Sequence, residues 1–197
     1  MPFGNSSNND KKAQSTVTAV FYALPAMPLA FLFGPIAVLQ GIYAKYFGLS
    51  LITIATILFI SRIFDAVTDP IIGYLSDRYY SRKGSYKPFI VSGVLLFLIA
   101  SWFLFVPIDI GNMQRLTSVS PGYFLFWFLM FYLAYTVFEI PHLAWGNKLA
   151  LDALEKNKVY AMRSVFALSG GLCFYTIPFL PMFETNEITP ETLKWAV

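Results

Sequence analysis

The sequence predicts an all-α integral membrane protein, and three observations predict it. Of its 197 residues, 57% are hydrophobic and 13% are charged, and the mean hydropathy is +0.60. A water-soluble domain of this length has too little interior to bury so much apolar surface. Five separate stretches supply the roughly 20 apolar residues that a helix needs to cross a bilayer core of about 30 Å. The aromatic share of 18%, with 20 Phe and 12 Tyr, suits lipid-facing surface and interfacial belts, where Tyr and Trp keep a polar tip wet.

The elements follow in order. Residues 1–16 read as a polar, disordered, cytoplasmic tail rich in Asn, Ser and Lys. Residues 17–197 read as one helical bundle. Its first span, Val17 to Tyr43, is too long to be a cleaved signal peptide. Further spans are expected at Leu51 to Leu75, Pro88 to Pro107, Tyr123 to Trp145 and Val159 to Met182. From Thr189, with Pro190 and Glu191 resembling a helix start, a sixth span begins that Val197 leaves incomplete. The expectation is therefore five complete transmembrane helices plus the start of a sixth, the N-terminal fragment of something longer. Pro25, Pro28, Gly34 and Pro35 in the first span, and Pro178 and Pro181 in the fifth, imply kinked or locally unwound helix. Such segments line cavities in some bundles and merely bend helices in others.

Charge placement gives orientation. Lys11, Lys12, Arg78, Arg82, Lys83, Lys87, Lys148, Lys156 and Lys158 fall on one side of the spans, against Lys45 and Arg115 on the other. By the positive-inside rule the N-terminus is cytoplasmic and the fifth span ends outside; a plasma (inner) membrane is the expected location. Topology and anionic lipid account for the basic loops, so nucleic acid is not an expected partner and membrane lipid is. The single cysteine, Cys173, excludes an internal disulfide and offers no metal-ligand spacing. No Gly-x-Gly-Asp motif, Ser/His pair, zinc spacing or phosphate loop points to an enzyme, and no resident cofactor is expected.

The informative residues are ionisable groups at membrane depth: Arg62, Asp65 and Asp69 in the second span and Glu139 in the fourth. Each costs about 2.5–3.5 kcal/mol at the centre of a lone inserted helix, so each must face protein, water or ligand. Asp65 and Asp69 are spaced i, i+4 and project from one helix face, with Arg62 nearly in line. Two close carboxylates disfavour joint ionisation, so the pair holds a proton or recruits a cation. Sodium, lithium and a proton all satisfy the electrostatics. The alternative is a packing ion pair between Arg62 and Asp65, which leaves Asp69 unexplained; Pro70 directly after it hints at a disturbed backbone. In the fourth span Tyr135, Thr136, Glu139 and His142 share one side, half of a solute or cation site, with His142 alternatively an interfacial histidine. Arg163 in the fifth span either snorkels to the interface or reaches a carboxylate. Tyr74, Trp102, Trp127 and Trp145 read as belt or packing aromatics.

The run Arg62-Ile-Phe-Asp65-Ala-Val-Thr-Asp69-Pro-Ile-Ile-Gly73-Tyr-Leu-Ser-Asp77-Arg78, followed by Ser81-Arg82-Lys83-Gly84 and Lys87-Pro88-Phe89, resembles the glycoside-pentoside-hexuronide:cation symporters. These are the melibiose permease-like branch of the major facilitator superfamily. Gly73 to Lys83 also resembles the superfamily's Gly-x-x-x-Asp-Arg loop. Tyr135-Thr-Val-Phe-Glu139-Ile-Pro141 is similar to a fourth-span segment of the family, and Arg163 falls at the spacing of its fifth-span arginine.

The resemblance implies the N-terminal half of a two-half transporter with alternating access. It implies a coupling cation, sodium, lithium or a proton, held by Asp65, Asp69 and Thr136. It places a sugar or glycoside-like solute at Tyr135, Glu139 and Arg163, and a conformational latch at Gly73, Asp77 and Arg78. This sequence has Glu139 for the family's aspartate, Thr68 for an asparagine, Leu143 for a sugar-stacking tryptophan and Leu29 for a sugar-binding aspartate. Some members of the wider branch carry lysolipids, which makes a non-sugar amphiphile the alternative solute. A further alternative is a truncated or split subunit that transports nothing without a missing C-terminal half or a separate partner chain.

Overall fold

The computed structural model describes residues 16–109, 114–115, 118–149, 152–183, 187–195 and 197. Most of residues 1–16, with Lys11 and Lys12, therefore lies outside the described residues, as do Glu184 and the side chain of Arg115. The chain divides into two compact units. One comprises Met1–Gly34 and Trp145–Thr176, the other Pro35–Ala144 and Ile177–Val197. Each is described by itself.

The first span is helical from Thr16 to Phe47 in three pieces, broken where its prolines and glycine fall: α1 (16–23), α2 (Ala26–Phe33) and α3 (Ile36–Phe47). Proline lacks the N–H that would continue the ladder, so the chain restarts after Pro25 and after Pro35, while Pro28 falls in the first turn of α2, where no intrahelical partner is needed. Gly34 N–H still reaches the Ala30 and Phe31 carbonyls at 3.0 and 3.3 Å, and Val38 N–H reaches that of Pro35 at 3.0 Å. Few backbone groups are orphaned by the breaks.

In the first unit α1 and α2 pack with α7 (Ala153–Thr176). Ala19, Tyr22 and Val159 form a buried cluster with Leu149 against it, and Tyr22 meets Trp145 edge-on at 5.8 Å. A Cβ at Gly170 would strike the backbone of Met27, so glycine there lets two helices touch main chain to main chain. Small residues are the usual means of close approach in a membrane, where lipid removes the hydrophobic drive between helices.

The second unit holds α3, α4 (Leu51–Lys83), α5 (Lys87–Phe105) and the part of α6 (Pro121–Leu149) up to Ala144. It ends in a 3-10 turn, Ile177–Phe179, and α8 (Pro190–Trp195). Two residue pairs of antiparallel ladder, Ile108 with Arg115 and Asp109 with Gln114, join α5 to α6. Ser50 caps α4 by accepting the Thr53 N–H at 3.1 Å. α4 then runs unbroken through Pro70 and closes on Gly84, whose φ of +69° suits a residue without Cβ. The helix is continuous at Asp69-Pro70, where the proline leaves the Ala66 carbonyl without its intrahelical N–H.

α5 and α6 run antiparallel, with Phe97 against Phe131 at 4.6 Å and Phe103 stacked on Trp127 at 4.3 Å. A Cβ on Gly93 would lie 2.6 Å from the Phe138 backbone nitrogen, a second main-chain contact that only glycine permits. The Tyr43 hydroxyl, fully buried, donates to the Leu104 carbonyl at 2.6 Å and so ties α3 to the end of α5.

Among the described residues four helical stretches are long and apolar enough to cross a membrane: Thr16–Phe47, Leu51–Lys83, Lys87–Phe105 and Pro121–Leu149. α7 forms a helix of 24 residues where the fifth span is expected, yet differs in two respects. It stops at Thr176 because Pro178 ends it in a 3-10 turn, short of Met182. Its apolar portion is diluted by Arg163, Ser164, Ser169, Gly170 and Gly171. α8 bears out the expected helix start: Thr189 and Thr192 cap each other, with the Thr189 N–H on Thr192 Oγ1 at 2.8 Å and the Thr192 N–H on Thr189 Oγ1 at 3.4 Å.

Large apolar side chains cover the outside of these helices, among them Ile52 at 81% exposure and Phe59 at 67%. In water such surface would aggregate; in lipid it is the solvated face.

Candidate functional site

α4 and α6 run parallel, and three successive contacts fix their register. Arg62 Nη2 donates to the Tyr132 hydroxyl at 3.3 Å, Thr136 Oγ1 donates to Asp69 Oδ1 at 2.9 Å, and Gly73 lies against Ile140. The α4 residues occur every four to seven positions and their α6 partners every four, so one stripe of α4 follows one stripe of α6.

Asp65 lies between the first two contacts. Its Oδ2 accepts a hydrogen bond from Arg62 Nη1 at 3.3 Å, forming an ion pair in which the carboxylate is 16% exposed and the guanidinium 64%. Its Oδ1 is buried and accepts no hydrogen bond among the described residues. The guanidinium also faces the Tyr132 ring, 5.1 Å from its centroid, a cation–π geometry that holds it to one side. The Arg62–Asp65 packing pair is therefore present, but it uses one carboxylate oxygen and leaves the other. Asp69, which that pair left unexplained, is tied to Thr136.

The acidic face is not wholly buried. Asp65 is half-buried, whereas Arg62 and Asp69 remain exposed. Two carboxylates and a hydroxyl form a small set of hard oxygen donors; among the described residues no group of three His, Cys, Asp or Glu side chains gathers as a metal centre.

The remaining expected residues are placed as follows. Tyr135 is half-buried, its ring centroid 6.3 Å from that of Phe97 on α5. Glu139 is half-buried one turn beyond Tyr135 and Thr136. His142 is 1% exposed and stacked on Phe138 at 5.0 Å, a histidine buried by protein. Arg163 is half-buried on α7, in the other unit.

The Gly73, Asp77 and Arg78 group separates. Asp77 Oδ1 accepts the Tyr86 hydroxyl at 2.7 Å, whereas Arg78 folds back along its own helix to the Tyr74 hydroxyl at 3.3 Å. Burial, and then the hydrogen bond to Asp77, push the Tyr86 hydroxyl well above its ordinary pKa, so it remains a donor across the neutral range.

Sequence reasoning missed Tyr132 and Tyr86. Tyr132 is one turn before Thr136 on the polar side of α6, and extending that stripe backward would have found it. Tyr86 follows Gly84 and Ser85 in the turn between α4 and α5, a position at which a tyrosine gives no pattern of its own.

Four helical stretches long and apolar enough to cross a bilayer, clothed in exposed apolar side chains, define an integral membrane protein. The family described as MFS/sugar transport protein matches residues 15–195, and the chain belongs to that family. It is a family of transporters, not of enzymes. An uncharacterized symporter of Bacillus subtilis, YnaJ, is 29% identical over 191 residues, covering 96% of this chain and 40% of that protein. A putative glycoside/cation symporter of Escherichia coli, YagG, is 30% identical over 130 residues, 66% of this chain and 27% of the relative. The sodium-dependent lysophosphatidylcholine symporter 1 of Mus musculus is 30% identical over 120 residues, 58% of this chain and 21% of the relative. The chain thus spans well under half the length of these relatives. No solved structure matches it.

Proposed function

We propose that this chain forms the N-terminal half of a cation-coupled symporter in the plasma (inner) membrane, with its N-terminus cytoplasmic. The observation that carries the reading is the buried, unbonded Oδ1 of Asp65 beside an Asp69 held in place by Thr136. A carboxylate oxygen out of water and without a donor is costly, and a bound sodium, lithium or proton removes that cost. The same site gives coupling. Neutralising the Asp65 and Asp69 face changes the field on the α6 stripe, and a solute bound more tightly in the cation-loaded state is carried with the ion.

The solute proposed is a sugar or glycoside contacting Glu139 and Tyr135, with Arg163 retained as a candidate solute contact on its own element. The relative named as a putative glycoside/cation symporter supports this class. A lysolipid is the second reading. It is favoured by Leu29, 8% exposed, and Leu143, half-buried, both apolar side chains, and by the relatives named for lysophosphatidylcholine. Gly73, Asp77 and Arg78 are proposed as a latch whose engagement favours one of the two access states. Because Asp69 stands exposed on a helix clothed in apolar residues, a lone half would present a carboxylate to lipid. A C-terminal half or a separate subunit is accordingly the proposed partner, alongside solute, cation and membrane lipid.

The test is uptake in proteoliposomes of the protein as it occurs in its native membrane, under imposed sodium, lithium or proton gradients. Labelled glycosides and lysophosphatidylcholine are the two solutes. One gradient is expected to stimulate uptake of one solute, and Asp69→Asn to abolish that stimulation while leaving membrane insertion intact. Unchanged stimulation in Asp69→Asn would overturn the cation site. Inert behaviour of the wild type toward both solutes under all three gradients would favour a subunit that does not transport by itself.

A further inference from the structure

The turn between α4 and α5 holds an arrangement that the latch motif does not contain. Tyr86, the residue before the first turn of α5, is 3% exposed although it lies between the exposed Gly84 and Lys87. Its ring stacks on that of Tyr80 at 4.4 Å and 20°. Beside them Tyr79 meets Phe89 edge-on at 5.8 Å, so two aromatic pairs join the end of α4 to the start of α5. Gly84, in the left-handed conformation, makes the reversal that brings Tyr86 back over α4.

The hydroxyl that this packing positions donates to Asp77 Oδ1 at 2.7 Å. Asp77 is otherwise exposed, and among the described residues its Oδ2 accepts no hydrogen bond. Arg78, the next residue, is equally exposed but reaches only Tyr74 on its own helix. Of the two charged motif residues, then, one is pinned by a rigid neighbour and the other hangs along the helix surface. An exposed aspartate normally samples several rotamers, and holding it in one removes the entropy that docking would otherwise cost.

We propose that Tyr86 is a positioning residue for the latch: it fixes the Asp77 carboxylate with Oδ2 outward, ready for a donor on the partner half. The proposal rests on the reading of Gly73, Asp77 and Arg78 as a latch. Without the Tyr86 hydroxyl, Asp77 keeps its charge but loses its orientation, and the latched state becomes less populated. The effect is of the size that one hydrogen bond gives, about three- to tenfold in a population ratio.

The experiment uses the protein as it occurs in the membrane, with Cys173→Ser to remove the exposed native thiol and Ile72→Cys as reporter. Ile72 is half-buried on the Asp69 face, one turn nearer the latch. The rate of alkylation by a membrane-impermeant maleimide, applied from the side of the α4–α5 turn, reports how often that side opens. Tyr86→Phe keeps the ring stack and removes only the hydroxyl. The expected result is a three- to tenfold change in rate in the same direction as Asp77→Asn, with no further change in the double variant and no loss of thermal stability in Tyr86→Phe. If Asp77→Asn changes the rate and Tyr86→Phe does not, the role of Tyr86 is refuted and the latch stands. If Asp77→Asn leaves the rate unaltered, the latch itself is refuted, and the proposal with it.

Discussion

The Thr136 hydroxyl donates to Asp69 Oδ1 at 2.9 Å, a bond that runs from α6 to α4 across 67 positions of sequence. It orients one of the two carboxylates proposed to bind the coupling ion, while leaving Asp69 open on its exposed side. Thr136→Val keeps the shape and deletes the donor. A hydrogen bond to a charged group contributes about 1.5–3 kcal/mol, so the cation concentration for half-maximal stimulation of uptake is expected to rise by about tenfold or more. Thr136→Ser is expected to stay near the wild type, and coincident curves for Val and wild type would remove Thr136 from the site.

Arg62 is the cation already present. Its guanidinium takes Asp65 Oδ2 and is held against Tyr132, so it competes electrostatically with any ion on Asp65. Two unit charges about 4 Å apart interact by about 4 kcal/mol at an effective dielectric constant of about 20, and exposure of the arginine reduces that. Arg62→Gln should tighten cation binding by about tenfold, read as a lower cation concentration for protection from thermal unfolding. Weaker binding in this variant would show that Arg62 supports the site rather than competing with it.

Gly170 and Gly171 are adjacent in α7 and differ in what surrounds them. A Cβ on Gly170 would overlap the Met27 backbone, whereas one on Gly171 would meet nothing within 4 Å. Overpacking costs about 1–3 kcal/mol, and alanine is favoured over glycine in a helix by about 1 kcal/mol. Gly170→Ala is expected to lower the thermal unfolding midpoint in detergent, and Gly171→Ala to leave it unchanged or raise it. Equal effects from the two would contradict the α2–α7 contact.

Orientation is testable at the same turn that holds Tyr86. Ser85→Cys, in a Cys173→Ser background, should react with an impermeant thiol reagent in inverted membrane vesicles and resist it in intact cells. The opposite pattern would reverse the topology drawn from the basic loops.

The parts of this structure that were legible in the sequence are those governed by local chemistry. Pro25 and the Gly34-Pro35 pair marked the breaks in the first span, and the i, i+4 spacing put Asp65 and Asp69 on one face, whereas the second helix, drawn to Leu75, runs on to Lys83. What escaped depends on register between helices. That Arg62 faces Tyr132, and that Asp69 rather than Asp65 takes Thr136, is set by the alignment of α4 with α6, which glycine and side-chain packing along both helices determine together. The fifth helix was drawn too far because Pro178 and Pro181 read as kinks within a span, when Pro178 lies in the 3-10 turn that ends it at Thr176.

The most direct test of the central claim is equilibrium cation binding to the purified protein, followed as a shift in the thermal unfolding midpoint with sodium, lithium and falling pH. A cation that binds only the folded state stabilises it in proportion to the logarithm of its concentration above the dissociation constant. The account predicts that one of these cations protects the wild type, and that Asp65→Asn and Asp69→Asn each abolish the protection without preventing folding. Equal protection of the wild type and both variants would contradict it, and the Asp65, Asp69 and Thr136 group would then be packing alone.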